Sequence, residues 1–306
     1  MGRKKREWPL FFLCLSAALY GLALIFSATR YEETLHGLVG KQAVALGGGV
    51  VLCLLLSVLD VRKLLEKLWW LLPVVNVGLL LLLVPLGNDD GTGNKSWISL
   101  PGGGFNLQPA EVVKISFLLL LALQLRKLGE QGLNRPKAVF LLLLHVLALC
   151  ALLYGVSGDI GMVAVYLAVY LVMLWSAGVH PLWLLGEVAA GVGAVVLLWP
   201  RLPEYVRMRF LVVFAHGLDP LGKGFQQERS LLAIGSGGLF GVGLGQGTPE
   251  KIPAYYNDFI FAVVCEQLGQ AFGVLLLAVY MGLAYLGATV SAQYDQSIGR
   301  AQLVMA

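Results

Sequence analysis

Charged residues are scarce in this sequence of 306 residues: aspartate, glutamate, lysine and arginine together make up 13% of it. Soluble domains carry about 25%. The hydrophobic fraction of 58% and the mean hydropathy of +0.78 are those of an integral membrane protein. The net charge of +4 argues against nucleic-acid binding, because no strongly basic region accompanies it.

Cysteine is also sparse, with four residues in the whole chain. All four lie inside apolar runs, without the spacing of a metal site or a disulfide framework: Cys14, Cys53, Cys150 and Cys265. Zinc and thiol redox chemistry are therefore not indicated. We expect these side chains to fill the protein core.

Long apolar runs dominate what remains. A run of about 20 residues crosses a hydrocarbon core of about 30 Å as a helix. Such runs lie near 8–28, 38–59, 68–86, 110–125, 138–154, 160–178, 182–200 and 259–287. The sequence therefore predicts an all-α polytopic membrane protein with about eight transmembrane helices, forming a single membrane domain over 1–306.

The basic residues predict the orientation. They are concentrated in the short loops 60–67 and 126–137, and residues 3–6 precede the first span without a convincing signal-peptide cleavage site. We therefore expect both termini in the cytoplasm. This topology places three polar segments outside: 87–109, the turn from Gly155 to Asp159, and 201–257.

The outer segment 201–257 has two unusual features. It carries basic residues against the positive-inside bias, which suit an anion-binding surface, although a long loop can simply escape that rule. The basic residues are Arg201, Arg207, Arg209, Lys223, Arg229 and Lys251. Repeated glycines interrupt its apolar run between 235 and 247. Irregular backbone cannot face lipid, so the segment is either re-entrant and packed on protein or a flexible loop.

Two acids stand near the start of the last apolar run. Asp258 precedes it directly, where a carboxylate can cap a helix or, if partly removed from water, act as a general base toward an attacking hydroxyl. Glu266 lies two helical turns further in. An acid at membrane depth is a functional-site hypothesis, and a hydrogen-bonded structural role is the alternative.

Other polar residues at predicted outer helix ends are candidates for substrate contact. Glu111 and Lys114, three residues apart at the start of the fourth span, either pair with each other or line a cavity near Asp258. Asp159 either caps the sixth span or touches substrate. Lys41, at the outer end of the second span, either snorkels to the interface or reaches a lipid phosphate.

Taken together, the polar motifs resemble those of the SEDS proteins, the FtsW, RodA and SpoVE group. The resemblance runs from about residue 8 to the end of the chain and keeps the order of the motifs throughout. Its motifs are Trp97-Ile98, Gln108-Pro109-Ala110-Glu111-Val112-Val113-Lys114, Asp159-Ile160-Gly161, Gly224-Phe225-Gln226 with Ser230 to Gly241, and Asp258-Phe259-Ile260-Phe261 with Glu266 and Gly269.

The resemblance implies a peptidoglycan glycosyltransferase that polymerises lipid II at the outer face of the bacterial cytoplasmic membrane, in elongation, division or sporulation. It implies a class B penicillin-binding transpeptidase and other divisome or elongasome membrane proteins as partners. It maps the catalytic acid onto Asp258. Substrate contacts then fall to Glu111, Lys114, Lys41, Asp159, Arg207, Arg209, Gln226, Ser230 and Glu266.

A mechanism follows as a hypothesis. Asp258 deprotonates the GlcNAc 4-hydroxyl of an acceptor, which attacks the MurNAc anomeric carbon of the donor with inversion and expels undecaprenyl pyrophosphate. Arg207, Arg209, Lys114 or a divalent cation, magnesium or manganese, stabilises the leaving group.

The chain also departs from the family pattern. The substitutions are Ala110 for serine, Asn257 for threonine, Ala254 for a common glutamate, Gln267 for the second acid of a pair, and Arg229 for glutamine. Family members continue through two more membrane helices, so we expect a shortened member. The alternative functions are a lipid II flippase or transporter, and a truncated inactive scaffold that recruits a transpeptidase.

Overall fold

The computed structural model describes residues 8–30, 32, 35–59, 61–88, 94–100, 105–130, 132–202, 204–214 and 223–293. The basic residues before the first span lie outside these ranges, as do parts of the predicted outer segments, 89–93, 101–104 and 215–222.

Helices account for most of the described chain, because its apolar runs satisfy their backbone groups internally only in that form. They are α1 (Trp8–Thr29), α2 (His36–Val58), α3 (Val61–Leu68), α4 (Leu71–Leu81), α5 (Leu83–Leu86), α6 (Pro109–Gly129), α7 (Pro136–Ser157), α8 (Ile160–Ser176), α9 (Pro181–Leu198), α10 (Glu204–Phe214), α11 (Lys223–Ser236), α12 (Ile260–Leu268) and α13 (Gln270–Gln293). By length and composition, 5 of the described helices can cross a membrane, and shorter apolar helices cover Leu71–Leu86 and Ile160–Ser176.

Two predicted spans are divided in the structure. The apolar run 68–86 becomes α4 and α5, which meet at Leu82, and the charged helix α3 precedes them. The run 259–287 becomes α12 and α13, because Gly269 between them has a φ of 89° and ends the first helix. The last predicted span is therefore a short helix followed by a long one.

A small antiparallel sheet, which hydropathy did not predict, lies in the outer segment 87–109. Its strands are β1 (Gly87–Asn88), β2 (Trp97–Ser99) and β3 (Asn106–Leu107), in the order β1-β2-β3. Gly87 pairs with Ile98, and Ile98 pairs with Leu107. The Trp97-Ile98 motif is thus the central strand.

The chain divides into two compact units. One comprises the residues up to Val51 together with Gly191–Leu286, and the other comprises Leu52–Ala190 with the residues from Gly287. The second unit has the larger core, built where α4, α6, α7 and α8 meet around Phe117, Leu142 and Tyr166. The Tyr166 hydroxyl donates to the Ala110 carbonyl at 2.7 Å, which ties α8 to the start of α6.

The core of the first unit is smaller and surrounds α12. It contains Ala28 of α1, Ala233 of α11, Ile252 and Tyr255 of the turn before α12, and Val263. For the cysteines, the core-filling prediction holds for Cys150 and Cys265, which are buried, and is wrong for Cys14 and Cys53, which are exposed on the protein surface.

Candidate functional site

The glycine-rich segment 237–248 folds back onto the carboxyl end of α12. The backbone N–H of Val242 donates to the Glu266 carbonyl, and that of Gly243 donates to the Gln267 carbonyl, both at 2.9 Å. Gln270 N–H donates in turn to the Gly238 carbonyl at 2.9 Å. The segment therefore supplies the hydrogen bonds that α12 loses where it ends.

Glycine is required here by close backbone contact. A Cβ at Gly237 would lie 2.0 Å from the Cys265 carbonyl oxygen, and one at Gly241 would lie 2.2 Å from that of Gln267. Gly241 also has a φ of 78°, which favours glycine. The prediction that this segment packs on protein as a re-entrant element agrees with this geometry, whereas the flexible-loop alternative does not.

Beneath the segment lies a buried polar cluster, to which Glu266 belongs. The Glu266 side chain is 5% exposed, and its Oε1 accepts from the Thr248 backbone N–H at 3.0 Å. Ser27 of α1 donates to Gln267 Oε1 at 2.6 Å and accepts from the Gly245 N–H at 3.0 Å. The described contacts of Glu266 thus hold the loop on α12, as its structural alternative predicts, and its substrate role stays a prediction.

Asp258 lies on a turn that is fixed on both sides. Ile252 and Tyr255 anchor the turn in the core, and the Ala254 carbonyl accepts from the N–H groups of Asn257 and Phe259 at 3.1 and 3.3 Å. Ala254 has a φ of 55°, which is uncommon for a residue other than glycine and marks local backbone strain. The Asp258 side chain itself is exposed.

The carboxylate of Asp258 is free to act on a substrate. Within the described residues it has no hydrogen bond or ion pair, and Phe259, not Asp258, occupies the N-cap of α12. The capping alternative predicted from the sequence is therefore wrong. A rigid turn that presents an exposed, unpaired carboxylate is the arrangement a general base needs.

Glu111 and Lys114 form an ion pair at the start of α6 in the second unit. Lys114 Nζ lies 2.9 and 2.8 Å from the two carboxylate oxygens of Glu111. The lysine side chain is 23% exposed and the glutamate 55%, so the pair faces outward in part. This confirms the pairing that the spacing predicted, and contact of either residue with a substrate stays a prediction.

Asp159 caps α8, as the sequence predicted. Its Oδ1 accepts from the Met162 N–H at 3.1 Å, and its Oδ2 accepts from the Ser96 hydroxyl at 3.4 Å. Lys95 N–H also donates to the Ser157 carbonyl at 3.1 Å. The carboxylate therefore fastens the loop before β2 to the start of α8.

We expect Asp159→Ala to destabilise the protein by about 0.5–2 kcal/mol, because it removes a helix cap. Asp159→Asn keeps an oxygen for the Met162 N–H and should retain most of that stability. The apparent melting temperature in detergent measures both variants. A fall in activity for the asparagine variant at unchanged melting temperature would instead assign Asp159 a direct role in substrate binding.

The remaining predicted site residues are divided between helices of the first unit. Lys41 is exposed on α2, and Ser230 on α11 is buried with its hydroxyl donating to the Gln226 carbonyl at 2.9 Å. Arg207 on α10 is half-buried, and its Nε has no acceptor among the described residues. Arg209 belongs to the same helix, and its side chain lies outside the described part.

Metal binding by the protein alone finds little support. Among the described residues, no three histidine, cysteine, aspartate or glutamate side chains are grouped as metal ligands. The described side chains therefore do not fit a resident divalent cation, and the mechanism below takes no step through one.

Sequence reasoning missed three contributors to the site: Ser27, Thr248 and Tyr255. Tyr255 donates to Glu32 Oε2 at 3.2 Å, and Ser27 reaches Gln267 across 240 positions of sequence. An isolated serine in an apolar helix was the only available indication of the Ser27 contact, since a buried hydroxyl needs a partner.

Known proteins resemble this chain over almost its whole length. The family model of FtsW, RodA and SpoVE, described as cell cycle protein, matches residues 8–304. The Probable peptidoglycan glycosyltransferase FtsW of Geobacter metallireducens is 30% identical, and the match covers 96% of this chain and 80% of that protein. The protein of the same name from Thioalkalivibrio sulfidiphilus is 38% identical over 67% of this chain and 50% of its own length.

Solved structures show the same fold. A chain from a peptidoglycan synthase complex that coordinates polymerization and crosslinking matches with a TM-score of 0.81 and 27% identity, over 99% of this chain and 83% of its own. An aspartate-to-alanine mutant of the Thermus thermophilus rod shape determining protein RodA matches with a TM-score of 0.68 and 25% identity, over 99% and 80%. The chain is thus an all-α polytopic membrane protein, and it belongs to the FtsW, RodA and SpoVE family.

Proposed function

We propose that this protein is a peptidoglycan glycosyltransferase that polymerises lipid II at the outer face of the bacterial cytoplasmic membrane. The names of its relatives support this activity, as does its similarity to a chain of a peptidoglycan synthase complex. The observation that carries the proposal is the exposed, unpaired Asp258 carboxylate on a turn anchored by buried Ile252 and Tyr255.

In the proposed reaction Asp258 takes the proton of the GlcNAc 4-hydroxyl of the acceptor. The hydroxyl oxygen forms a bond to the MurNAc anomeric carbon of the donor from the face opposite the leaving group. The bond from that carbon to the pyrophosphate oxygen breaks, and undecaprenyl pyrophosphate departs with the electron pair. The configuration at the anomeric carbon inverts, as in a single displacement assisted by one base.

The leaving group is a dianionic or more highly charged pyrophosphate, so it needs cations more than a proton donor. Arg207 is suited to this task, because its half-buried guanidinium retains an Nε–H without an acceptor among the described residues. Arginine binds phosphate oxygens through several donors in one plane. Arg209 and Lys114 are further candidates by sequence.

The fixed geometry of the turn favours catalysis over transport. Transport by alternating access requires a site near the membrane midplane that opens to each side in turn. Asp258 instead lies at the amino end of α12, held by backbone hydrogen bonds on both sides. We further propose that both termini are cytoplasmic and that a class B penicillin-binding transpeptidase is the partner.

The test uses the purified chain with lipid II, with and without a class B transpeptidase, in liposomes. Glycan strands are measured by gel electrophoresis, and movement of fluorescent lipid II between leaflets is measured in parallel. Strand formation supports the proposal. Lipid II movement without strands favours the flippase, and transpeptidase binding without either activity favours the scaffold.

A further inference from the structure

A cavity of about 270 Å³ lies in the second unit, where α6 ends beside the turn that joins α3 to α4. None of the residues that surround it belongs to the site described above. They are Glu66, Trp69, Leu123, Arg126, Lys127 and Glu130. Both signs of charge, an aromatic ring and an aliphatic side chain therefore meet around one small volume.

The charges in this cavity are arranged in a definite way. Arg126 Nη1 contacts Glu66 Oε1 at 3.0 Å, so these two charges neutralise each other. Lys127 Nζ lies 4.4 Å from the centre of the Trp69 ring, whose face attracts and positions the ammonium. Glu130 follows Lys127 by three positions and keeps helical dihedral angles, so the two side chains are neighbours on one face.

Lys127 and Glu130 are available to a ligand. Within the described part of the chain, neither side chain forms an ion pair with an opposite charge, and both are exposed. The cavity thus offers one cation and one carboxylate side by side, with no net charge. A ligand that carries both a phosphate and an ammonium group matches this arrangement.

The polarity of the cavity follows the direction of α6. Leu123 comes first, Arg126 and Lys127 one turn later, and Glu130 at the end of the helix. Trp69 and Trp70 are 44% and 55% exposed beside it, as expected for tryptophan at a membrane interface. An apolar base below a charged rim fits a lipid, with its glycerol and first methylenes against Leu123, better than a wholly soluble molecule.

We propose that this cavity binds the headgroup of phosphatidylethanolamine, on the face of the membrane that the basic loops 60–67 and 126–137 identify as cytoplasmic. Lys127 binds the phosphate and Glu130 binds the primary ammonium. Phosphatidylglycerol lacks an ammonium and brings a second anion toward Glu130. Phosphatidylcholine has a quaternary ammonium, which cannot donate a hydrogen bond to that carboxylate.

Native mass spectrometry of the full chain in detergent, titrated with each of these three phospholipids, tests the proposal. Phosphatidylethanolamine should bind most tightly. Lys127→Gln and Glu130→Gln should each weaken its binding about fivefold, since one charge at a membrane surface contributes about that factor. Lys127→Arg keeps the charge and should retain binding. Lys137→Gln, at an exposed lysine outside the cavity, is the matched control and should bind like wild type.

Three results would overturn this assignment. Phosphatidylglycerol binding as tightly as phosphatidylethanolamine would identify a nonspecific basic surface. Equal weakening by Lys137→Gln would mean the same. Full competition by soluble glycerophosphoethanolamine would show that the site takes a free headgroup instead of a lipid. The melting temperature of each variant without added lipid confirms that it is folded, and the proposal does not depend on the glycosyltransferase activity.

Discussion

The Asp258→Asn variant is expected to polymerise lipid II about 10²–10⁴-fold more slowly than the wild type, which is the usual effect of removing a general base. Asparagine keeps the size and shape of the side chain but cannot take the proton of the attacking hydroxyl. Initial rates of glycan formation at equal protein concentration measure the loss.

Folding should be unaffected, because Asp258 is exposed and makes no hydrogen bond within the described residues. The apparent melting temperature of the variant should therefore equal that of the wild type. Glu228→Gln is the matched control: it removes the charge of another exposed acid of the same unit, on α11, and should retain full activity. Wild-type rates from Asp258→Asn would refute the assigned base.

The second large effect is expected from Gly241→Ala. The new Cβ would lie 2.2 Å from the Gln267 carbonyl oxygen and 2.6 Å from the Gly269 nitrogen, and both are backbone atoms that cannot turn away. The φ of 78° adds the cost of a left-handed conformation. Together these should destabilise the protein by about 2–5 kcal/mol and lower both its melting temperature and its folded yield.

Two neighbouring glycines separate the causes. Gly238 has a φ of 56° and nothing within 4 Å of an added Cβ, so Gly238→Ala should show only the conformational cost of about 1–2 kcal/mol. Gly235 lies in helix α11 with open space around it, and Gly235→Ala should be neutral or stabilise by up to about 1 kcal/mol. Equal melting temperatures for all three variants would show that the segment does not pack on α12 as described.

Hydropathy predicted the helical membrane fold because a helix is the only way for a single apolar run to satisfy its backbone in lipid. It could not divide the run 259–287. Phe259–Leu268 and Gln270–Gly287 are equally apolar, and the break depends on the φ of Gly269, which a sum over residues does not detect. The sheet around Trp97 was missed for a related reason, since its strands have two or three residues each.

At the site, the sequence identified the residue types but not all of their roles. Asp258 was predicted either as a cap or as a base, and only the structure shows that its carboxylate is exposed and unpaired among the described residues. The structural role of Glu266 depends on Thr248, which hydropathy places in an outer loop. Such contacts join distant parts of the chain, so no local pattern records them.

The identification of this protein as a lipid II polymerase is tested most directly by the product that the wild type makes. Purified protein in liposomes is supplied with lipid II, and the product is digested with a muramidase, which cleaves β-1,4-linked glycan strands. Strands that the enzyme degrades to disaccharides are the predicted result. Lipid II that crosses the bilayer but forms no new glycosidic bond, with or without a transpeptidase, would contradict it.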